Sequence, residues 1–300
     1  MFEVLYRYDP GTTVLEPLPG TAEAALRTLI EGNQAFAAIL DRADAGIPSE
    51  RKIISLTAKD LGLAAAGDAA PEQQPFAAVL SCSDARVPVE MVMWQQANDL
   101  FVVRVAGNTP GPLSMGSLDY AVQHLTSIRL LVVLGHTGCG AISAAADAYI
   151  RPSSYIAITG DLPLRTIIDS TMLAVAGAAA ALHGVYGDEV RQNPGYRSAL
   201  IELTVIMHAA LTATTVRQTF SGRLGPNFGV VYGVFNLENH LIGLPSRDDE
   251  AGNWQAGLSD APLGVSEFGD LAEQMARSRH IAQYIHDVGG VLAAGTTHSN

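Results

Sequence analysis

Apolar residues recur in two different rhythms along this chain. Between residues 21 and 40, Ala24, Leu26, Leu29, Ile30, Phe36, Ile39 and Leu40 fall at helical spacing, with Thr21 placed to cap the first turn. From residue 76 the rhythm changes to short, continuous apolar runs. Those at 76–81, 100–106 (LFVVRVA) and 129–135 (RLLVVLG) predict buried strands. The stretches 87–92, entered through Pro88, 114–125 and 140–149 predict the helices that connect them. Strands apolar on both faces and joined by helices specify a parallel sheet covered on both sides. Right-handed crossovers then bring all the carboxyl ends to one edge, where ligands collect at a reversal of strand order.

Farther along, 164–186 and 197–220 predict long Ala-rich helices, 227–235 (NFGVVYGVF) a fourth strand, and 239–244 a segment able to pair with it. Residues 61–75 read as a connection, 245–262 as an irregular loop and 266–288 as a closing amphipathic helix. The expectation is an α/β fold: a central, mostly parallel sheet of four to five strands flanked by helices, with N- and C-terminal helical extensions. Residues 1–300 form a single domain in this reading, with a core over about 21–244 and a loop-and-helix extension over about 245–300.

Composition narrows the partners. The chain is 48% hydrophobic and 16% charged, enough to build a large core. A net charge of −12 disfavours nucleic acid and anionic membrane surfaces, which need a basic footprint. The first twenty residues lack the pattern of a secretory signal, and the most apolar run, 173–182, is shorter than a bilayer span. The expectation is a soluble, cytoplasmic protein that engages neither membrane nor nucleic acid.

The only two cysteines, Cys82 and Cys139, together with His136, stand where two predicted strands end. Two thiolates and an imidazole suit zinc, and three protein ligands leave a fourth tetrahedral position for water, the pattern of a catalytic rather than a structural site. If the 76–81 and 129–135 strands are neighbours, the three ligands converge. A cysteine in an apolar strand is more often an inert buried thiol, so the reading rests on the whole constellation. The C-x-x-C spacing of a thiol redox protein is absent.

Cys82-Ser83-Asp84-Ala85-Arg86 and His136-Thr137-Gly138-Cys139 resemble the C-x-D-x-R and H-x-x-C motifs of the β-class carbonic anhydrases. The likeness extends to Leu29-Ile30-Glu31-Gly32-Asn33 with Phe36, to 99–104 and 106–108, and to 117–122 and 132–136. It is strong from about residue 25 to 145 and weak afterwards. The resemblance implies one Zn²⁺ per chain on Cys82, His136 and Cys139, and reversible hydration of CO₂ to bicarbonate and a proton by zinc-bound hydroxide. It implies that Asp84 orients the nucleophile and that Arg86 clamps Asp84 off the metal. Gln73, Phe101, Val105, Tyr120 and Gly138 are the implied substrate-side residues, with a lining like that of the plant-type subgroup. A homodimer or higher homo-oligomer is implied too, since in this family a neighbour supplies part of the pocket. Two other readings use the same site: a hydrolase of carbonyl sulfide or carbon disulfide, and a zinc scaffold or bicarbonate-responsive protein with little turnover.

Overall fold

The computed structural model describes residues 3–8, 17–47, 51–58, 60–63, 71–158, 160–225, 227–246 and 254–286. An N-terminal strand, β1 (Glu3–Tyr8), pairs in parallel with β2 (Arg51–Leu56) as a separate two-stranded sheet. Between them lies α1 (Ala22–Asp44), whose start is set by the side chain of Thr21, which accepts the Ala24 N–H at 3.1 Å.

The main sheet begins with β3 (Ala77–Ser81), followed by the short α2 (Val89–Val92), β4 (Leu100–Arg104), α3 (Pro112–His124), β5 (Leu130–His136) and α4 (Gly140–Ile150). Next come α5 (Pro152–Ala157), α6 (Leu162–Tyr186), α7 (Tyr196–Phe220) and β6 (Gly229–Phe235). The four strands pair in parallel in the order β4-β3-β5-β6. Strand side chains alternate between two layers, as the period of two demands. Ala78, Leu80, Leu131, Val133, Tyr232 and Val234 join the core formed with α3, α4, α6 and α7, whereas Ala77, Val79, Val132, Leu134, Val231 and Phe235 pack beneath α1 and α2.

Strand order reverses between β3 and β5, because β4 adds on one side of β3 and β5 on the other. A crevice therefore opens at their carboxyl ends. The adjacency of these two strands, the condition for the ligands to converge, is observed, with Ala77 opposite Leu130 and Ser81 opposite Leu134. Asn33 ties α1 to this end of the molecule: its amide donates to the Val92 and His240 carbonyls and accepts the Ile242 N–H.

Several expectations need correcting. The main sheet has seven strands rather than four or five. Three antiparallel strands complete it: β7 (Ile242–Pro245) beside β6, β8 (Trp254–Ala256) beside β7, and β9 (Ser259–Asp260) also on β6. The stretch read as an irregular loop thus contributes two strands, short enough that pairing partners rather than their own pattern define them. The closing helix is two helices, α8 (Val265–Arg277) and α9 (Arg279–His286), separated at Ser278, whose backbone is extended. Residues 287 and 288 of that expectation lie outside the described residues.

The 173–182 run sits inside the 25-residue α6, so the apolar helix is longer than the run alone suggested. By length and composition α6 and α7 both suffice to cross a bilayer, yet 78% of the most apolar stretch of α7 is buried inside the protein, against 39% for α6. Core packing accounts for the hydropathy of α7.

A bidentate ion pair fastens α7 to α4. Arg197 donates to both Asp147 oxygens at 2.7 and 2.8 Å and holds that carboxyl below its ordinary pKa. A depressed carboxyl stabilises the fold above its unfolded pKa, about 3.9, and the contribution is lost as pH falls through the folded value. Arg197→Ala is therefore expected to lower stability at pH 7 by about 0.5–1 kcal/mol. Urea unfolding at pH 7 and at pH 3 checks this: the gap between wild type and variant should narrow in acid, and a gap that widens contradicts the assignment.

Candidate metal centre

Cys82 lies immediately past β3, His136 is the last residue of β5, and Cys139 precedes the first turn of α4. Their Sγ, imidazole and Sγ atoms all lie within 4.8 Å of one another, and all three residues are buried. The sulfurs are 4.0 Å apart, twice the length of a disulfide bond, so both cysteines are free. Tetrahedral zinc ligands at 2.0–2.3 Å from the ion lie roughly 3.4–3.8 Å apart. The set therefore needs to draw in by at most about 1.4 Å.

The polarity of the cluster points the same way. The Nδ1 of His136 is 3.0 Å from the Thr137 carbonyl, an arrangement in which Nδ1 donates and Nε2 keeps its lone pair. That Nε2 is fully buried and has no hydrogen-bond partner, a cost that a bound cation removes. The thiol of Cys82 is lowered by its hydrogen bond with Cys139, opposed by burial, and further lowered by His136 and by the backbone of Asp84 and Gly107. Cys139 is pushed up, first by that same bond to Cys82 and then by burial. The two thiols share one contact at 4.0 Å, and a divalent cation supplies the charge that lets both ionise. Two thiolates and one imidazole fit zinc.

Asp84 stands at the rim of this triangle, with Oδ2 3.8 Å from His136 Nε2. Arg86 grips it three ways, through Nε at 3.0 Å, Nη2 at 2.8 Å and its own backbone N–H at 2.9 Å. The Arg86 guanidinium holds the Asp84 carboxyl far below the usual carboxylate range. Asp84 is thus an anion across the neutral range, turned towards its arginine.

Residues around the triangle hold the surrounding loops, and two of them, Arg104 and Glu202, had no role in the sequence reading. Arg104, at the end of β4, donates to the Cys82 carbonyl at 3.0 Å and to the Asp84 carbonyl, pinning the loop from the neighbouring strand. Gly107 N–H donates to Cys82 Sγ at 3.3 Å. At φ +66 a side chain there would be strained, and a Cβ would press on Ala141 at 3.2 Å. Gly138, at φ +64, makes the tight turn between His136 and Cys139. Its N–H donates to Glu202 of α7 at 3.0 Å, and its carbonyl faces Arg86 Nη2 at 3.4 Å. Glu202 was legible only as the single acid in the sequence of α7.

The implied substrate-side residues fall into two groups within one chain. Val105 and Gly138 lie at the metal end: Val105 N–H donates to the Ser81 carbonyl, next to Cys82. Phe101 pairs in register with Ala78, four residues before Cys82 and hence about 13 Å back along the strand. Its ring lies 6.4 Å from that of Tyr120, which is half-exposed and lines a surface hollow with the exposed Gln73 and with His124. No metal ligand lines this hollow. A single chain does not bring Gln73, Phe101 and Tyr120 to its own metal site.

Comparison with known proteins agrees with the site. The family model described as carbonic anhydrase matches residues 77–171, a segment that contains all three candidate ligands and the Asp84–Arg86 pair. The chain is 38% identical over 125 residues to carbonic anhydrase 2 of Mycobacterium tuberculosis, covering 42% of this chain and 53% of that protein; the match thus spans about half the length of that relative. It is 30% identical over 176 residues to the carbonic anhydrase of Emericella nidulans, covering 57% of this chain and 69% of that protein. Among solved structures, the Coccomyxa β-carbonic anhydrase in complex with acetazolamide overlaps 77% of this chain and 93% of its own at 20% identity, with a TM-score of 0.42. On its sequence likeness to these curated relatives and the motifs that its candidate metal centre carries, the chain belongs to the β-class carbonic anhydrase family.

Proposed function

We propose that this protein hydrates CO₂ reversibly to bicarbonate and a proton, with one zinc ion held by Cys82, His136 and Cys139. The observation that carries the reading is the conjunction of a buried, unpartnered His136 Nε2 flanked by two free thiols with an Arg86-clamped Asp84 at 3.8 Å. Zinc bound in such a set supplies a Lewis acid that ionises water near neutral pH.

The chain's own residues do the rest. Ionised Asp84 can only accept, so it takes the O–H of the attacking water and turns the oxygen lone pair towards the carbon of CO₂. Arg86 occupies both carboxylate oxygens, which keeps Asp84 from swinging onto the ion and competing with water. Arg104 fixes the loop that carries both residues. The new C–O bond forms as one C=O π pair moves onto oxygen, and the released proton leaves to solvent.

The active unit in this reading is a homodimer or a higher homo-oligomer. Gln73, Phe101 and Tyr120 suit a substrate pocket, with an amide for bicarbonate oxygen and aromatic faces for an apolar gas, yet they lie away from their own chain's metal end. A neighbouring copy presenting its hollow to the crevice supplies them. One of the solved relatives, from Sordaria macrospora, is described as tetrameric.

The test is stopped-flow CO₂ hydration on protein of known zinc content, from pH 6 to 9. The rate is expected to rise with pH as the nucleophile ionises. Asp84, already an anion far below this range, adds no inflection of its own. A flat profile, or a rate equal to that of the buffer alone, contradicts the proposal.

A further inference from the structure

Glu202 is a carboxylate in a place that does not favour one. It lies on α7, 9% exposed, among Ala199, Leu200, Ile201, Leu203 and Val205. A carboxylate withdrawn from water is tolerated only with partners that replace its hydration. Glu202 has one hydrogen-bond donor and, on its other side, a histidine nitrogen that lies just beyond hydrogen-bond range and has no partner of its own. Its Oε1 accepts the Gly138 N–H at 3.0 Å, and its Oε2 lies 3.6 Å from Nε2 of His280, the second residue of α9.

His280 is itself 5% exposed and held edge-to-face by two rings, Trp254 of β8 at 5.3 Å and Tyr284 of α9 at 5.7 Å. Glu202, Trp254, His280 and Tyr284 all lie outside the 77–171 segment that matches the carbonic anhydrase family model. On the other side, the turn His136–Cys139 carries two of the three candidate ligands. Thr137 N–H is taken by the Phe235 carbonyl of β6, and Gly138 N–H is taken by Glu202. A hydrogen bond to the amide between two ligands governs the angle at which both present their donor atoms.

We infer that Glu202 is a positioning residue for the metal centre: with the buried ring of His280 beside it, it sets the His136–Cys139 turn through the Gly138 amide, and so couples the two C-terminal helices to metal binding. The inference rests on the zinc reading of Cys82, His136 and Cys139. It assigns a function to α8 and α9, an extension that packs against α6 and α7 rather than against the ligands themselves. The need is for an acceptor at this point, within reach of Gly138. A glutamine provides the acceptor without the charge, and an aspartate provides the charge but falls one methylene short.

The experiment is zinc affinity, measured by chelator competition on full-length protein, with CO₂ hydration followed alongside. Glu202→Ala and Glu202→Asp are expected to weaken zinc binding by about 10–100-fold, the usual range for partners of metal ligands, whereas Glu202→Gln stays within about threefold of wild type. His280→Phe, which keeps the ring packing and deletes Nε2, is expected to weaken zinc by at least about threefold. Wild-type affinity in Glu202→Ala overturns the inference, and so does a Glu202→Gln variant as weak as the alanine. An unchanged His280→Phe overturns the coupling to α9. Should Glu202→Ala not fold, Glu202→Asp decides by the same criterion. A wild-type chain that binds no zinc overturns the metal reading and this inference together; one that binds it beside an unaffected Glu202→Asp overturns the inference alone.

Discussion

Cys82→Ser is expected to empty the metal centre and reduce CO₂ hydration to the buffer background. Serine fills nearly the same volume, so packing at the carboxyl end of β3 survives, but a neutral hydroxyl replaces a soft anionic donor. Structural zinc sites with a full ligand set bind with about 10–16 kcal/mol. Removing one thiolate forfeits about 4 kcal/mol of such a total, on the order of 10³-fold in affinity. Sulfur at this position also accepts the Gly107 N–H and sits 4.0 Å from Cys139 Sγ, so the loss falls on an ordered donor rather than a mobile one. Zinc analysis after desalting, together with far-ultraviolet circular dichroism to confirm folding, checks the result. A folded variant that retains one zinc per chain and the wild-type rate contradicts the assignment of Cys82.

Arg86→Ala separates orientation from metal binding. Arg86 is mostly exposed and touches no metal ligand; its contacts are three bonds to Asp84 and a longer one to the Gly138 carbonyl. Without the guanidinium, Asp84 is free to turn, and the acceptor that aims the nucleophile is lost or lands on the ion itself. Misplacement of a reacting group by an ångström costs about 10²-fold, and loss of a preorganised electrostatic contact about 10²–10³-fold. The variant is expected to lose that much activity with zinc content unchanged. The Asp84 carboxyl also returns towards the ordinary value of about 3.9, still well below neutrality. The pH profile between 6 and 9 should therefore keep its shape while its height falls. Full activity, or a profile shifted along the pH axis, counts against the role given to the pair.

How much of this could be read in advance depends on where each feature's cause resides. A covered parallel sheet followed from apolar runs buried on both faces, whereas the adjacency of β3 and β5 was a condition that only the strand pairing meets. Cys82, His136 and Cys139 then converge because each begins or ends a loop at the same edge. The strands β8 and β9, of three and two residues, carry no pattern of their own; β7 and β6 pair with them and thereby define them. The break between α8 and α9 falls at a serine, with neither glycine nor proline to announce it. Gln73, Phe101 and Tyr120 were grouped with the ligands through family likeness, and only the strand register reveals the length of β3 and β4 that separates Phe101 from Cys82. Glu202 was silent for a different reason. A lone acid in a long helix normally marks a solvated face, and what it faces here is a turn 64 residues earlier in the chain.

Zinc K-edge X-ray absorption on the loaded protein addresses the central claim without reference to activity. Ligation by Cys82, Cys139 and His136 with one further light atom predicts two sulfurs at about 2.3 Å and two nitrogen or oxygen atoms at about 2.0–2.1 Å. A first shell with one sulfur or none would show that these three residues do not hold the ion, and the proposed chemistry would fall with them.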